Sequence, residues 1–200
     1  MLRKPAYFCL QNVIGKPPGH RKMTTIIPAD INDRLLYFDN EVKKYFSFLS
    51  DFDYSLEDIK VGQSENFLDF FSHIKFKNGK TSISIHFSTD TIKGATTAFP
   101  KTKQRPNADS QVSCFISDDK AFMSVYNLIE TKYPTLQPSD NFTIPLISKD
   151  VKAEITRVII NYSNFFRDKL TQVLKKEKMY DCYTDRFFDK VFKEINYVDK

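Results

Sequence analysis

The sequence lacks several features that would assign it to a protein class at once. It has no tryptophan, five glycines and three cysteines in 200 residues. So few glycines exclude a collagen-like chain, and Cys9, Cys114 and Cys182 are too few and too far apart for a disulfide framework or a structural zinc site. No run approaches the roughly 18 apolar residues of a membrane-spanning helix, so we expect no membrane association. Free thiols of this kind fit a reducing compartment, and we expect a cytoplasmic protein.

Catalytic signatures are absent as well. The sequence contains no G-x-S-x-G, no H-E-x-x-H and no Walker or dinucleotide-binding glycine pattern. Cys114 is expected on a buried strand, where it serves as a core thiol rather than a nucleophile. The sequence therefore predicts no cofactor, no metal and no catalytic residue. An enzyme is disfavoured, although an active site assembled from distant positions would leave no local motif.

The composition that remains is that of a folded globular chain. Hydrophobic residues make up 41% of the sequence, and 19 phenylalanines and 10 tyrosines supply too many large apolar side chains for an intrinsically disordered protein. A chain of this length buries roughly 70% of its unfolded surface on folding, which is enough for a substantial core.

Charge is distributed unevenly along the chain, whose formal net charge is +5. Residues 1–28 carry five basic side chains and no acid; we expect them to form a basic, partly disordered N-terminal extension, and residues 29–200 to form a single α+β domain. Residues 29–69 sum to −6, residues 70–108 to +6 and residues 109–200 to zero. Such segregation can favour charged partners, but the stronger interpretation is that the acidic and basic segments neutralise each other in the fold or are solvated.

Hydrophobic spacing predicts four helices. Apolar residues at three- and four-residue intervals indicate an amphipathic helix over about 31–50. The same spacing predicts a helix capped by Ser117–Asp119 with Phe122 on its buried stripe, a long helix over about 149–176 and a last helix near 185–196.

A β-hairpin is the strongest local signal. Phe67–Lys77 and Lys80–Ser88 alternate and flank Asn78-Gly79, a pair that favours a type I′ turn. Gln111–Ile116 predicts a further strand. The fold class is therefore α+β: an antiparallel sheet built around a 67–88 β-hairpin, with amphipathic helices packed on one face and a long C-terminal helix.

A turn at Asn78-Gly79 determines which side chains share a face of the hairpin. His73 is then expected opposite Ser84 and diagonal to His86. The core side collects Phe70, Ile74, Phe76, Ile83, Ile85 and Phe87. The other side is the first candidate binding surface, with Phe71 available for base stacking beside His73, Lys75, Lys77, Lys80 and His86.

A simpler interpretation of this face is the solvated side of a half-buried sheet, and it is the stronger of the two. A metal ion held by His73 and His86 would need a third ligand, for which the sequence offers only Asp69 or Asp90 at the strand ends.

Two loops are the remaining candidates. The segment 93–105 carries Lys101, Lys103 and Arg105 without an acid, and it could hold phosphates or the acidic patch of a partner. The acidic segment 51–58 does not have the spacing of an EF-hand. A solvated loop is the simpler account of both segments.

Adjacent phenylalanines offer a possible homodimer surface. Phe165 and Phe166 lie on the predicted long helix, and Phe187 and Phe188 on the predicted last helix. Neighbouring positions on a helix cannot both face one core, so one ring of each pair is a candidate for an exposed interface. Packing against two neighbours on different sides of the helix is the simpler account.

Together these features favour a non-catalytic protein–protein interaction module that binds a macromolecular partner through segregated charged surfaces. The layout is similar to that of small bacterial immunity proteins and accessory subunits of bacterial complexes, and the likeness covers no specific motif. Two alternatives stay open. One is a nucleic-acid-binding module that uses the basic hairpin face and the 93–105 loop, and the other is an enzyme with a dispersed active site.

Overall fold

Five antiparallel strands form the centre of the molecule, and helices pack on one of their faces. The computed structural model describes residues 27–63, 69–90, 110–119, 121–145, 148, 150–184 and 190–196. After helix α1 (Ala29–Tyr45) and a 3₁₀ helix (Ser47–Phe52), the sheet pairs in chain order β1 (Ser55–Gln63), β2 (Asp69–Asn78), β3 (Thr81–Asp90), β4 (Ser110–Ser117) and β5 (Phe122–Ser124). The remaining elements are α2 (Val125–Lys132), α3 (Pro138–Asn141), α4 (Val151–Lys169), α5 (Thr171–Leu174), and a two-stranded sheet of β6 (Lys178–Thr184) and β7 (Lys190–Asn196). The predicted α+β class is confirmed.

The inner face of the sheet carries the core. All six side chains predicted for the core side of the hairpin are buried, and β4 adds Val112, Cys114 and Ile116. Helix α1 lies over this face, since Phe38 stacks on Phe87 with 5.2 Å between ring centroids. Helices α1 and α4 pack together through Phe46 and Phe166, whose rings meet edge to face at 5.4 Å.

One acidic side chain is buried between α1 and the sheet. Asp39 is 6% exposed, and its carboxylate accepts a hydrogen bond from the hydroxyl of Ser72 on β2. Burial raises the pKa of Asp39 above its ordinary value, while the hydrogen bond from Ser72 acts in the opposite direction.

The predicted hairpin forms, but its turn lies one residue further along the chain. Asn78 pairs with Thr81, so the turn residues are Gly79 and Lys80. Of these two, Gly79 alone has a positive φ, of 60°, which is the pattern of a type II′ turn rather than the predicted type I′. Asn78 stays in β2, where its side-chain amide donates to the carbonyl of Phe52 at 2.8 Å. The shift moves cross-strand partners by two positions, so every side chain keeps its predicted face.

A solvated loop was the simpler account of the acidic segment 51–58, but from Ser55 onwards it belongs to strand β1. The strand pairs with β2 along its whole length, with one irregularity: Leu56 faces Phe76, and Asp58 faces Lys75. Glu57 is therefore the extra residue of a β-bulge. The bulge interrupts the alternation of apolar and polar residues, which is why the strand is not evident from the sequence.

The helix predicted after Ser117–Asp119 begins later than expected. Strand β5 comes first, and Ser124 then caps α2 by accepting from the amide of Asn127. The prediction that Phe122 lies in a buried stripe is wrong, because its side chain is 53% exposed.

The C-terminal helices also differ from the prediction. The long helix ends at Lys169, and a separate short helix, α5, follows it. The predicted helix near 185–196 is wrong, because Lys190–Asn196 is strand β7 and pairs with β6. A short apolar run fits either period, and here the neighbouring strand supplies a hydrogen-bonding partner. Among the described helices, none combines the length and the apolar character that a bilayer crossing requires.

The adjacent rings of α4 do not form a dimer surface. Phe165 and Phe166 are 4% and 0% exposed. Phe166 packs on Phe46, while Phe165 contacts Tyr133 edge to face at 5.3 Å on another side of the helix. The other predicted pair, residues 187 and 188, lies outside the described residues.

Candidate functional site

The side of the sheet that points away from the helices carries the hairpin residues predicted to bind. We call this side the outer face. Its side chains are half-buried or exposed, except for Ser82. They form four rows across the strands: Gly62–Phe71–Ser88–Gln111, Lys60–His73–His86–Ser113, Asp58–Lys75–Ser84–Phe115–Ser124 and Ser55–Lys77–Ser82–Ser117–Phe122.

Two histidines lie side by side at the centre of the outer face. The observed register makes His73 and His86 direct cross-strand partners, whereas the predicted register placed them diagonally. Their ring centroids are 6.1 Å apart, and Phe71 stacks on His86 at 5.6 Å. Gly62 on β1 leaves room for Phe71, because a Cβ at this glycine would lie 3.1 Å from the phenyl ring.

Both imidazoles are held in the neutral form at neutral pH. Burial lowers the pKa of His86 to about 4, and the neighbouring His73 contributes in the same direction. Burial and the charge of Lys60 also lower the pKa of His73. The Nε2 atom of His73 is buried and forms no hydrogen bond with the described residues. The centre of the outer face therefore offers aromatic rings and polar nitrogens without a net charge.

The lysines of the predicted basic face share a carboxylate. Glu57 lies within 2.7 Å of Lys75 Nζ and 2.9 Å of Lys77 Nζ. The β-bulge of β1 directs this side chain between the two lysines. The two lysines hold the pKa of Glu57 below its ordinary value, so the carboxylate stays ionised.

The other two lysines of this region are also paired. Lys60 Nζ lies 3.2 Å from Asp58, and Lys80 Nζ lies 2.7 Å from Asp119. The hydrogen bond that Lys80 donates to the carboxylate of Asp119 raises the pKa of Lys80. Most of these carboxylates come from the acidic segment that precedes the hairpin. At this face the acidic segment 29–69 partly offsets the basic segment 70–108, through the single carboxylate of Glu57 between Lys75 and Lys77.

A second aromatic pair lies on the outer face at β4 and β5. The rings of Phe115 and Phe122 stack with 5.4 Å between their centroids. Neither residue was among the predicted site residues, because Phe122 was assigned to a buried helix stripe. Alternation along the predicted strand 111–116 does place Phe115 opposite to the buried Cys114, and this signal would have found it.

The other predicted site residues lie outside the described part of the chain. They are Lys101, Lys103 and Arg105 of the 93–105 loop. Nearly all of the predicted N-terminal extension 1–28 also lies outside the described residues. Of the predicted binding residues, the structure therefore brings His73 and His86 together and places Lys75, Lys77 and Lys80 at the margin of the same face.

The described residues offer little for metal or acid–base chemistry. They contain no group of three or more histidine, cysteine or acidic side chains that could hold a metal ion. A cleft of about 250 Å³ between α3 and α4 is lined by asparagines and apolar residues, with Asp168 and Lys169 as its charged members and no histidine or cysteine. Cys114 is a core thiol, as predicted, and complete burial raises its pKa.

Comparison of the chain with models of protein families, with curated proteins and with solved structures found no match.

Proposed function

We propose that this chain is a non-catalytic, cytoplasmic protein–protein interaction module that binds its partner through the outer face of the sheet. The observation that carries this proposal is the aromatic centre of that face within a margin of ion pairs. Protein interfaces have this arrangement, with aromatic residues enriched at the core and polar residues at the rim. The Phe71–His86 and Phe115–Phe122 stacks would be the contact centres.

The chemistry of the centre favours burial against another protein. Desolvating a charged group is costly, whereas His73 and His86 are already neutral and largely desolvated. Ser84, Ser88 and Ser113 surround them and supply hydroxyl donors and acceptors. A partner with an apolar protrusion and a few polar groups would find complementary groups on this face.

The paired margin favours a protein over a nucleic acid. Nucleic-acid binding relies on lysine and arginine side chains that neutralise phosphates. Here Lys75 and Lys77 share Glu57, and Lys80 already pairs with Asp119. The stacked rings of Phe71 and His86 are the one feature that supports nucleic-acid binding as a second candidate, since bases stack on such platforms.

Two variants of matched exposure test the proposed function. Phe122 on the outer face and Leu36 on α1 are both 53% exposed, so each can be changed to glutamate with little effect on the core. The immobilised wild type and both variants are incubated with extract of the native source, and retained proteins are then purified and titrated. We expect wild type and Leu36→Glu to retain the same stoichiometric partner. Phe122→Glu should weaken its binding by about tenfold or more, as for a hot-spot residue.

Two outcomes would contradict the proposal. One is a partner that binds Phe122→Glu as tightly as it binds wild type, since that partner would use another surface. The other is a chain that retains no partner but binds single-stranded DNA or RNA with an affinity that falls steeply with salt. That result would favour the second candidate.

A further inference from the structure

Strand β1 is an edge of the five-stranded sheet. Among the described strands it pairs with β2 alone, so one side of its backbone has no strand partner there. Two of its apolar side chains, Leu56 and Val61, are 46% and 44% exposed. Both face the inner side of the sheet, where they lie opposite the inner-face residues Phe76 and Ser72. A long edge strand with exposed apolar residues is a template for pairing with another strand.

The charges of β1 are complementary to those of a second, antiparallel copy of the same strand. If a two-fold axis passes through Ile59, Asp58 of one copy faces Lys60 of the other, and the pair occurs twice. Both side chains lie on the outer face, which cross-strand pairing requires. A lysine on an edge strand ordinarily discourages pairing. In this register each lysine meets a carboxylate instead.

The β-bulge brings the apolar residues into the same register. Without the bulge, Val61 would face Glu57 of the other copy on the inner side of the sheet, which would set an apolar side chain against a charged one. Because Glu57 is the extra residue, the next position on the inner side is Leu56. Leu56 of one copy then meets Val61 of the other. The two most exposed apolar side chains of the strand thus cover each other at both ends of the pair.

We propose that two copies of this chain associate through antiparallel pairing of β1 about Ile59. The two five-stranded sheets then form one continuous sheet, with both outer faces on the same side. The isologous contact is closed, so it yields a dimer and not a filament. This proposal concerns the free edge of β1 and does not depend on the proposed partner site, with which it shares the marginal residues Asp58 and Lys60.

Exchange of the two charges tests the register. The oligomeric state of the full chain is measured by sedimentation velocity over a range of concentrations, for wild type, Asp58→Lys and Lys60→Asp. We expect wild type to dimerise. Each variant should have a dissociation constant about tenfold or more higher, because two attractive pairs become two like-charge pairs. Lys132→Asp, a charge change of the same kind on exposed α2, is the control and should dimerise like wild type.

Mixing the two variants is the decisive step. An Asp58→Lys copy carries two lysines at these positions and a Lys60→Asp copy carries two acids, so a mixed dimer has complementary charges at both pairs. An equimolar mixture should recover dimers of wild-type affinity although neither variant forms them alone. Recovery also shows that both variants are folded. Phe122→Glu should leave dimerisation unchanged, which separates this test from that of the partner site.

Three results would overturn the proposal. The first is a wild-type chain that stays monomeric at every concentration, in which case the edge is not a self-association site. The second is a dimer that forms equally well in both charge variants, because it must use another surface. The third is a mixture that dimerises no better than its components.

Discussion

His86 makes the stability of the fold depend on pH in a measurable way. An imidazole in the unfolded chain titrates near 6.5, whereas burial on the outer face lowers the pKa of His86 in the folded protein to about 4. Between these values only the unfolded chain binds the proton. The stability that depends on neutral His86 is therefore fully present above pH 6.5, and it is lost as the pH falls from 6.5 to about 4.

The size of the effect follows from the two pKa values. A pKa difference of about 2.5 corresponds to about 3 kcal/mol of unfolding free energy. This is a large share of the roughly 5–15 kcal/mol that stabilises a typical domain. His86→Phe removes the titrating group and keeps a ring that can stack on Phe71. We expect this variant to lose the His86 contribution to acid sensitivity.

Urea unfolding of wild type and His86→Phe, each above pH 6.5 and near pH 4, isolates the contribution. Other groups that titrate in this range are common to both proteins, so they cancel in the double difference. We expect the wild type to lose about 3 kcal/mol more than the variant between the two conditions. An NMR titration of the His86 imidazole measures its pKa directly. Equal losses in the two proteins, or a His86 signal that titrates near 6.5, would refute the reasoning.

Three further predictions concern other contacts. Ser72→Ala should lower the unfolding free energy by about 2 kcal/mol, because it leaves the buried carboxyl group of Asp39 without the hydrogen bond from the Ser72 hydroxyl. Ser163→Ala removes a hydrogen bond to a backbone carbonyl and should cost about 1 kcal/mol, so equal costs in urea unfolding would contradict a stronger hydrogen bond at Asp39. Glu57→Gln should tighten binding to short single-stranded DNA at low salt, because Lys75 and Lys77 lose the carboxylate that they share. If fluorescence anisotropy of labelled DNA gives the same affinity for the variant and the wild type, these lysines do not contact phosphate. Gly79→Ala should lower the unfolding free energy by about 1 kcal/mol or more, because alanine is strained at the positive φ of the turn. The added methyl group itself has room, so the backbone is the source of this cost. A variant as stable as the wild type would mean that the turn adapts without cost.

Much of the hairpin follows from the sequence. Alternation assigns Ile74 and Ile85 to the core and His73 and His86 to the outer face, and the structure agrees. The shift of the turn does not disturb this assignment, because it changes partner positions by two. It does change which side chains are direct neighbours, and the histidine pair follows from that change.

The ion pairs of the margin could not be predicted. Glu57 lies 20 positions from Lys77, and their contact depends on β1, which a bulge conceals in the sequence. The predicted helix near 185–196 failed for a related reason. A short apolar run satisfies either period until a neighbouring strand offers backbone hydrogen bonds, as β6 does for β7.

The sequence by itself determined the α+β class, the hairpin and the direction in which each of its side chains points, since these depend on local backbone geometry and on the period of apolar residues. Only the tertiary structure decided what each side chain meets. It paired the lysines of the predicted basic face with carboxylates, exposed Phe122, buried Phe165 and Phe166 within the chain and left β1 as an edge among the described strands. Such contacts join segments far apart in the chain, and the sequence carries no local record of them.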